Sequence, residues 1–519
     1  MSEIERHVYA VWGVPPETQA YAMAKYSRSS QSMLESIAEL SEERTAKFLE
    51  TFYFAYGHRS IADLAHVAIS FENCSLLAAM HIVDEPLWDG QERSTRYQDF
   101  RKTGYFIPTS IAGTEDEAAF RATADHQFAE YVELTRELTS VLMDVVPRPD
   151  GTGTDGRPEM DPRTYERTLR ARAFDVTRYL LPLATRTSVG QITSARVVEQ
   201  QIVRLLSDGL PECRAIAEEL RDACTKSAHA PILAKAIEVA ANPLLEHLVE
   251  IPAVPTLVKY TVASPFHETA GSAIARCAAR LLQDVPVVAA GSDVRLVNAI
   301  DPEVDLIASL LYRFDPGSHS FAEVVACVGS LGREDRDAVI AASLEGRGRF
   351  DDLLREHRAG YGLTFEITMD VGGFRDMHRH RRCVQIIRDL DPRDGFDDPA
   401  EVFLAGLGER GAALATERGL VARFRATLNQ SFEAADKLRP RHGVDALYLL
   451  PLAVRQRALF KMDIAQAAYI AELRTGVGGH FSYRRTAWHM REALLSRYPS
   501  LANALRATNP YEEVDLLRR

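Results

Sequence analysis

Alternating apolar and polar residues mark two stretches of the chain as strands. Across residues 363–371, apolar side chains alternate with threonine, glutamate and aspartate, and residues 67–71 show a shorter version of the same pattern. A period of two is typical of a strand that buries one face and exposes the other. Gly372 and Gly373 follow the longer strand, and we expect the backbone to turn there. The pattern therefore predicts two half-buried strands in different halves of the chain.

A dense basic segment follows the longer strand. Five arginines and two histidines lie within the fourteen residues from Arg375 to Arg388, although the whole chain carries a net charge of −12. Guanidinium groups are planar, permanently charged and forked, so several of them at the end of a sheet suit a phosphate or an electron-rich ring. A solvated basic face is the alternative interpretation of the same residues. The rest of the chain favours the first interpretation.

An internal repeat relates the two halves. The sequence Leu-Pro-Leu-Ala at residues 181–184 recurs at residues 450–453, an offset of 269, and in each half a strand pattern precedes it. A chance match of four residues is possible, but the shared order of strand, polar loop and Leu-Pro-Leu-Ala favours duplication. We therefore predict two tandem domains, residues 1–250 and residues 251–519.

A pair of arginines repeats with nearly the same offset. Arg204 and Arg214 recur as Arg474 and Arg484, 270 residues later, and each pair encloses a glycine-containing break. Glycine ends helices because it adopts backbone conformations that other residues avoid. Both copies therefore predict a helix, a short break and a second helix.

The overall composition is that of a soluble globular protein. Hydrophobic residues make up 46% and charged residues 26% of the 519 positions, and the acidic balance argues against general nucleic-acid or membrane-surface binding. No apolar run reaches the length of a membrane helix, and acidic residues follow Met1, so we expect a cytoplasmic protein. The cysteines form no C-x-x-C pair, so we expect single buried thiols and neither a zinc site nor a disulfide framework. They are Cys74, Cys213, Cys224, Cys277, Cys327 and Cys383.

Several short motifs occur in an order that resembles one known family. Ala24-Lys25-Tyr26-Ser27 is similar to an A-R-x-S element, and Gly57-His58-Arg59-Ser60 to a G-H-x-S element. Gln91–Tyr97 resembles an N-E-x-S-x-R-Y segment, Pro211–Arg214 an E-I-R segment, and Arg379-His380-Arg381 is R-H-R itself. The ordered set resembles the flavin-dependent thymidylate synthases (the ThyX family) across both halves of the chain.

Each half departs from the family pattern at a different place. Asp84-Glu85-Pro86 stands where the first half should carry R-H-R, and Asp389 stands where the second half should carry the serine that follows R-H-R. Active sites in the family form at the interfaces of a homotetramer. The resemblance therefore implies two complementary partial sites in one chain and a homodimer that forms a pseudo-tetramer. The alternative is that both halves have decayed and bind nothing.

The resemblance implies an activity and its cofactors. Members of the family use FAD, which NADPH reduces, and transfer a one-carbon unit from methylenetetrahydrofolate to dUMP. The cofactor performs the difficult step, so the absence of a Ser-His-Asp or Cys-His arrangement in the sequence is expected. The chain is therefore expected to be a methyltransferase that acts on dUMP or a related pyrimidine nucleotide. The fold that the resemblance implies is α/β (α+β), with a mostly antiparallel sheet and long flanking helices in each half.

The same resemblance implies roles for individual residues. The flavin would contact Ser27, His58, Ser60, Arg379, His380, Arg381 and Arg474. The nucleotide would contact Glu92, Ser94, Arg96, Arg196 and Arg214. Arg379 and Arg214 are the expected catalytic residues. We expect no metal in the site.

Two other functions stay open at this point. The first is a flavin-dependent enzyme of specialised nucleotide metabolism on the same scaffold. The second is a non-catalytic protein that binds a flavin or a nucleotide.

Overall fold

The structure is a computed structural model that describes most of the chain. The described residues are 13–25, 61–151, 157–226, 252–287, 293–297, 302–348, 354–358, 362–462, 464–497, 505–512 and 515–518, with the single positions 228, 235, 238 and 499.

The strands of the described residues form two antiparallel sheets. One sheet has three strands in the order β1–β3–β2, and the other has four in the order β4–β5–β7–β6. The strands are β1 (His66–Ser75), β2 (Asp89–Glu92), β3 (Arg186–Ser194), β4 (Val294–Leu296), β5 (Leu363–Asp370), β6 (Val384–Ile387) and β7 (Arg455–Met462).

Helices account for most of the remaining described residues. They are α1 (Pro16–Lys25), α2 (Leu76–Ile82), α3 (Glu117–Val145), α4 (Pro162–Thr177), α5 (Ala195–Leu206), α6 (Pro211–Thr225), α7 (Pro265–Leu281), α8 (Pro302–Phe314), α9 (Phe321–Ser330), α10 (Arg333–Ser343), α11 (Val371–Met377), α12 (Pro399–Glu417), α13 (Leu420–His442), α14 (Ile464–Arg474) and α15 (Phe481–Arg497). The mixture of antiparallel sheets and flanking helices confirms the predicted α/β (α+β) class. No helix of the described residues is long and apolar enough to cross a membrane.

The chain divides into two compact units, each built from separate segments. The first comprises Met1–Glu72, His81–Glu92 and Ser188–Ser264, and the second comprises Asn73–Met80, Arg93–Thr187 and Pro265–Arg519. The second unit thus includes segments from both predicted halves. The domain boundary at residue 250 stays a prediction.

The four-stranded sheet forms the core of the second unit. Strand β5 pairs with β7 over eight residues, from Leu363 opposite Met462 to Asp370 opposite Arg455. One face packs against α11, α14 and α15, and the other packs against α8 and α9 through buried aliphatic and aromatic side chains. Because both faces carry helices, the sheet has no broad solvent-exposed side.

Strand β5 is therefore buried on both faces, whereas the sequence predicted one exposed face. The polar residues Thr364, Glu366 and Asp370 are each no more than 3% exposed. Glu366 is paired with Arg295, and it accepts a hydrogen bond from the backbone N–H of Phe321 at 3.1 Å. The polar face of β5 is thus buried with its hydrogen bonds satisfied, which period-two alternation alone does not reveal.

The turn predicted at Gly372 and Gly373 is a helix start instead. Asp370 caps α11, because its carboxylate accepts the backbone N–H of Gly373 at 2.6 Å. A Cβ atom on Gly373 would lie 2.5 Å from Oγ of Ser482, so glycine here allows α15 to pack closely against α11. The basic residues consequently occupy α11 and the turn that follows it.

The two predicted helix–break–helix segments are confirmed. Helix α5 ends at Leu206 and α6 begins at Pro211, while α14 ends at Arg474 and α15 begins at Phe481. Arg204 lies in the last turn of its helix, as Arg474 does.

Corresponding strands in the two sheets share one register. Asp89–Glu92 of β2 runs opposite residues 192–189 of β3, and Val384–Ile387 of β6 runs opposite residues 461–458 of β7. The paired residues of β3 and those of β7 are 269 positions apart, which is the offset that separates the two Leu-Pro-Leu-Ala copies. This agreement is expected of duplicated domains, and duplication remains our interpretation of it.

The two Leu-Pro-Leu-Ala copies pair with each other inside the second unit. The N–H of Leu183 donates to the carbonyl of Leu450 at 2.8 Å, and the N–H of Leu452 donates to the carbonyl of Leu181 at 2.9 Å. An isolated antiparallel bridge joins Pro182 and Pro451 between these bonds. Swapping the two copies turns each of these hydrogen bonds into the other. A local twofold axis therefore passes between the copies.

Candidate functional site

Arg96 anchors a buried polar cluster in the second unit. It is only 6% exposed, and its Nε donates to Oδ1 of Asp175 on α4 at 2.9 Å. Nη1 donates to the hydroxyl of Tyr483 at 3.0 Å, and Nη2 donates to the carbonyl of Gly478 at 3.2 Å. A side chain from the first half of the chain thus reaches the break and helix that end the second half.

Electrostatics keep Arg96 charged. Burial alone lowers the pKa of a guanidinium, but the carboxylate of Asp175 outweighs that effect, and the pKa of Arg96 is raised above its usual range. Asp175 is 1% exposed and also lies 3.6 Å from Nη1 of Arg172. Arg96 and Asp175 therefore form a desolvated ion pair, in which each group compensates the buried charge of the other.

Arg474 and His380 extend the cluster within the second unit. Nε of Arg474 donates to Nε2 of His380 at 2.7 Å. The guanidinium carbon of Arg474 lies 5.4 Å from the ring centroid of Tyr483, and that of Arg96 lies 5.7 Å from the same centroid. A tyrosine ring in contact with two cations is a favourable cation–π arrangement. We call Arg96, Asp175, His380, Arg474 and Tyr483 the arginine cluster.

His380 is a neutral acceptor in this cluster. Burial, together with the charges of Arg474 and Arg381, lowers the pKa of His380 to about 3. Nε2 accepts the hydrogen bond from Arg474, so it carries no proton, and Nδ1 faces the side-chain amide of Gln466 at 3.3 Å. The imidazole therefore fixes the orientation of the Arg474 guanidinium without adding positive charge.

His480 also serves as a neutral structural link. Its Nδ1 accepts the backbone N–H of Ser482 at 3.2 Å at the start of α15, and its Nε2 donates to the carbonyl of Asp175 at 2.9 Å. Burial, with the charge of Arg178, lowers the pKa of His480 well below its usual range. The histidine joins the break before α15 to α4.

Arg178 is a further buried arginine, next to the arginine cluster. It is 2% exposed, and its Nη1 donates to Oγ1 of Thr95 at 3.3 Å. Its Nε and Nη2 have no hydrogen-bond partner among the residues that the structure describes. Both atoms lie beside Gly372, where a Cβ atom would approach each to 3.4 Å. A buried guanidinium with open donors suits an anionic group or an ordered water.

The charge of Arg178 acts on the buried carboxylate of Asp370. Burial raises the pKa of Asp370, and the charge of Arg178 and a hydrogen bond from Ser482 oppose that rise. The carboxylate also caps α11, so its position is fixed by the backbone. Asp370 therefore caps α11, accepts a hydrogen bond from Ser482 of α15 and interacts with the charge of Arg178.

The residues predicted to contact the flavin have different environments. Ser27, His58 and Ser60 lie outside the described residues. The turn after α11 holds Arg379 exposed, His380 buried and Arg381 half-buried. The structure brings His380 and Arg474 into direct contact, and their role in flavin binding stays a prediction.

Three residues predicted to contact the nucleotide lie in the first unit. Glu92 ends β2 and is half-buried. Arg196 pairs with Asp63 at 2.9 Å, and the exposed Arg214 donates to the carbonyl of Asp208 at 2.6 Å. The structure thus gives Arg196 and Arg214 protein partners of their own.

The other two predicted nucleotide residues lie in the second unit. Oγ of Ser94 accepts the backbone N–H of Arg96 at 3.3 Å. Each side-chain nitrogen of Arg96 already donates to the protein, as described above. Their role in nucleotide binding stays a prediction.

Sequence reasoning missed Asp175, Arg178, Tyr483 and Asp370 as members of the site. Asp175 and Arg178 precede the first Leu-Pro-Leu-Ala copy by a few residues, and Tyr483 lies between the repeated arginines of the second half. Proximity to the repeated segments is the signal that could have identified Asp175, Arg178 and Tyr483.

A family comparison agrees with the motifs. The sequence model of the family described as thymidylate synthase complementing protein matches residues 11–230. This match confirms, over those residues, the resemblance to the flavin-dependent thymidylate synthases that the motifs predicted.

Full-length relatives carry no assigned activity in their names. A UPF0159 protein of Chlamydia muridarum is 23% identical over 549 aligned positions, which cover 100% of this chain and 95% of the relative. UPF0159 protein Ta1429 of Thermoplasma acidophilum is 24% identical, covering 93% of this chain and 94% of the relative. A UPF0159 protein of Chlamydia pneumoniae is 21% identical and covers 100% of this chain.

One solved structure is also similar in part. It is the flavin-dependent thymidylate synthase ThyX of Helicobacter pylori, complexed with FAD and dUMP. The match covers 40% of this chain and 89% of that protein, with 14% sequence identity and a TM-score of 0.25.

Proposed function

We propose that this chain is a flavin-dependent, thymidylate synthase-like enzyme. It would use FAD, NADPH and methylenetetrahydrofolate for the reductive methylation of dUMP or a related pyrimidine nucleotide. The observation that carries the proposal is the family match over residues 11–230, which supports this function at the level of the family. The arginine cluster adds cationic groups of the kind that such a site needs.

The side chains of the second unit fit an anionic cofactor. Two side-chain nitrogens of Arg178 have no hydrogen-bond partner within the part of the chain that the structure describes, and Arg379 is exposed next to the buried His380. Cations of this kind bind phosphate groups and the negatively charged, reduced flavin ring. Arg379, His380, Arg381 and Arg474 would hold FAD in the second half, and Ser27, His58 and Ser60 would contribute from the first half. Bound FAD would supply the redox chemistry that the protein side chains lack.

The protein residues would act by position and charge. His380 holds the Arg474 guanidinium in one orientation, so little reorganisation is needed when a negative charge develops near it. Arg96 ties the Gly478 carbonyl and the Tyr483 hydroxyl, and so fixes the break before α15. We propose that Glu92, Ser94, Arg96, Arg196 and Arg214 contact the nucleotide, with Arg214 and Arg379 as the residues that touch the reacting groups.

We also propose that the two halves of the chain supply complementary parts of the functional site. Its support is that Arg96 of the first half and His380, Arg474 and Tyr483 of the second half form one cluster. We propose domains 1–250 and 251–519, each contributing what the other lacks, and a homodimer that takes the place of the family's homotetramer.

A non-catalytic flavin-binding protein is the second candidate. The observation that favours it is that each side-chain nitrogen of Arg96 already donates to the protein. Such an arginine would have to exchange partners before it could hold a phosphate.

Anaerobic reduction of the FAD-loaded protein separates the two candidates. We expect NADPH to bleach the flavin absorbance, and we expect dUMP to make the bleaching at least several times faster, because the enzyme must couple reduction to a bound nucleotide. Stopped-flow absorbance with and without dUMP measures both rates, and CMP is the control nucleotide. Flavin that binds but resists NADPH would overturn the enzyme proposal and favour the binding protein.

A further inference from the structure

A second cluster of reactive side chains lies in the first unit. His81 is in the last turn of α2, Asp208 lies in the break between α5 and α6, and Cys213 is in the first turn of α6. One ligating atom from each of the three residues lies within 4.8 Å of the others. Nδ1 of His81 and Oδ2 of Asp208 are 2.6 Å apart, so these two groups are already held together.

The second copy of the repeat carries other residues at two of these three positions. Helices α6 and α15 begin 270 residues apart, at Pro211 and Phe481. At that offset Asp208 corresponds to Gly478 and Cys213 to Tyr483, and the second half uses both positions to bind Arg96. The same structural location thus holds metal-ligating residue types in the first half alone.

Asp208 gives the cluster a negative charge, and two guanidiniums lie beside it. Nη1 of the exposed Arg214 donates to the Asp208 carbonyl at 2.6 Å, and Nη2 of Arg204 donates to the His81 carbonyl at 2.7 Å. Glu85 neutralises Arg204, because its carboxylate accepts from Nε at 2.7 Å. The Asp208 carboxylate then supplies negative charge to the cluster, while the Arg214 guanidinium is exposed to solvent.

We propose that His81, Asp208 and Cys213 bind one Zn²⁺ ion, with an open fourth position for water. Imidazole nitrogen, carboxylate oxygen and thiolate sulfur are the three ligand types that zinc takes in proteins, and three protein ligands leave one site open. Tetrahedral ligands about 2.0–2.3 Å from zinc lie roughly 3.5 Å apart. The observed spacing reaches that geometry with small side-chain movements, as the ion replaces the His81–Asp208 hydrogen bond. The site does not depend on the flavin proposal.

Cobalt titration of the chelator-treated full chain tests this site. Co²⁺ replaces Zn²⁺ in such sites and gives a thiolate-to-metal absorption band when a cysteine is a ligand. We expect about one Co²⁺ per chain with that band, and displacement of the band by Zn²⁺. His81→Gln and Cys213→Ser should each weaken Co²⁺ binding at least tenfold, and Cys213→Ser should remove the band.

Cys224→Ser is the matched control. Cys224 is a buried cysteine on the same helix, and burial raises the pKa of its thiol to about 12. This variant should retain both stoichiometry and band. His81 is half-buried, so His81→Gln keeps the test open if Cys213→Ser fails to fold. Absence of Co²⁺ binding, binding without a thiolate band, or equal loss in the Cys224 and Cys213 variants would overturn the proposal.

Discussion

Replacing Arg96 by leucine should lower the free energy of unfolding by about 3 kcal/mol, because breaking a buried ion pair leaves the remaining charge without its partner. Asp175 would stay 1% exposed and would lose its 2.9 Å hydrogen bond from Arg96. Arg172, 3.6 Å away, would compensate only in part, since its Nε and Nη2 already donate to backbone carbonyls near the C-terminus. Urea denaturation monitored by circular dichroism measures the change.

Two further variants isolate the ion pair. Arg96→Leu combined with Asp175→Leu should recover most of the loss, because neither charge of this pair is then left without the other. Arg101→Leu is the surface control, since Arg101 pairs with Asp99 in an exposed position and should change stability by less than about 1 kcal/mol. If Arg96→Leu and Arg101→Leu had equal effects, the buried Arg96–Asp175 pair would contribute no more to stability than an exposed ion pair.

Sequence patterns predicted the strands and helix breaks that neighbouring residues in the sequence determine. The strand β5 follows from period-two alternation over residues 363–371, and its observed span is Leu363–Asp370. The breaks before α6 and α15 follow from glycine and the repeated arginines. The contact between His380 and Arg474 lies within a set of residues that the family resemblance had already grouped.

Contacts between distant segments were not predictable in this way. The polar face of β5 is buried because α8 and α9, which precede it along the chain, cover it and supply a partner for Glu366. Arg96 meets Tyr483 across 387 positions of sequence, and no local pattern indicates that pairing. Asp175 was missed for the same reason, since its importance comes from the buried guanidinium that it neutralises.

Acid should destabilise the protein through His380, with the loss developing between about pH 6.5 and about pH 3. Burial and the charges of Arg474 and Arg381 lower the folded-state pKa of His380 to about 3, whereas the unfolded chain has an ordinary value of about 6.5. Between these values the unfolded state binds the extra proton, so stability is fully present above pH 6.5 and falls as the pH falls. The complete effect is about 5 kcal/mol.

His380→Gln removes the titrating group and keeps an acceptor for Arg474. Between pH 7 and pH 5 the native protein should lose about 2 kcal/mol more of unfolding free energy than this variant. Comparison of the two proteins isolates His380 from the other buried histidines, such as His480. Equal pH dependence in both proteins would show that His380 does not stay neutral in the folded state.

We propose that the second half holds a flavin at Arg379-His380-Arg381. Fluorescence titration of the purified chain with FAD, repeated for Arg379→Ala and Arg382→Ala, tests it most directly. Both arginines are exposed and lie in the same turn, so they form a matched pair. A charge-assisted hydrogen bond contributes about 1.5–3 kcal/mol, so we expect the Kd for FAD to rise about tenfold or more in Arg379→Ala and to stay unchanged in Arg382→Ala. Equal affinities in all three proteins, or no FAD binding by the native chain, would rule out a flavin site at this segment.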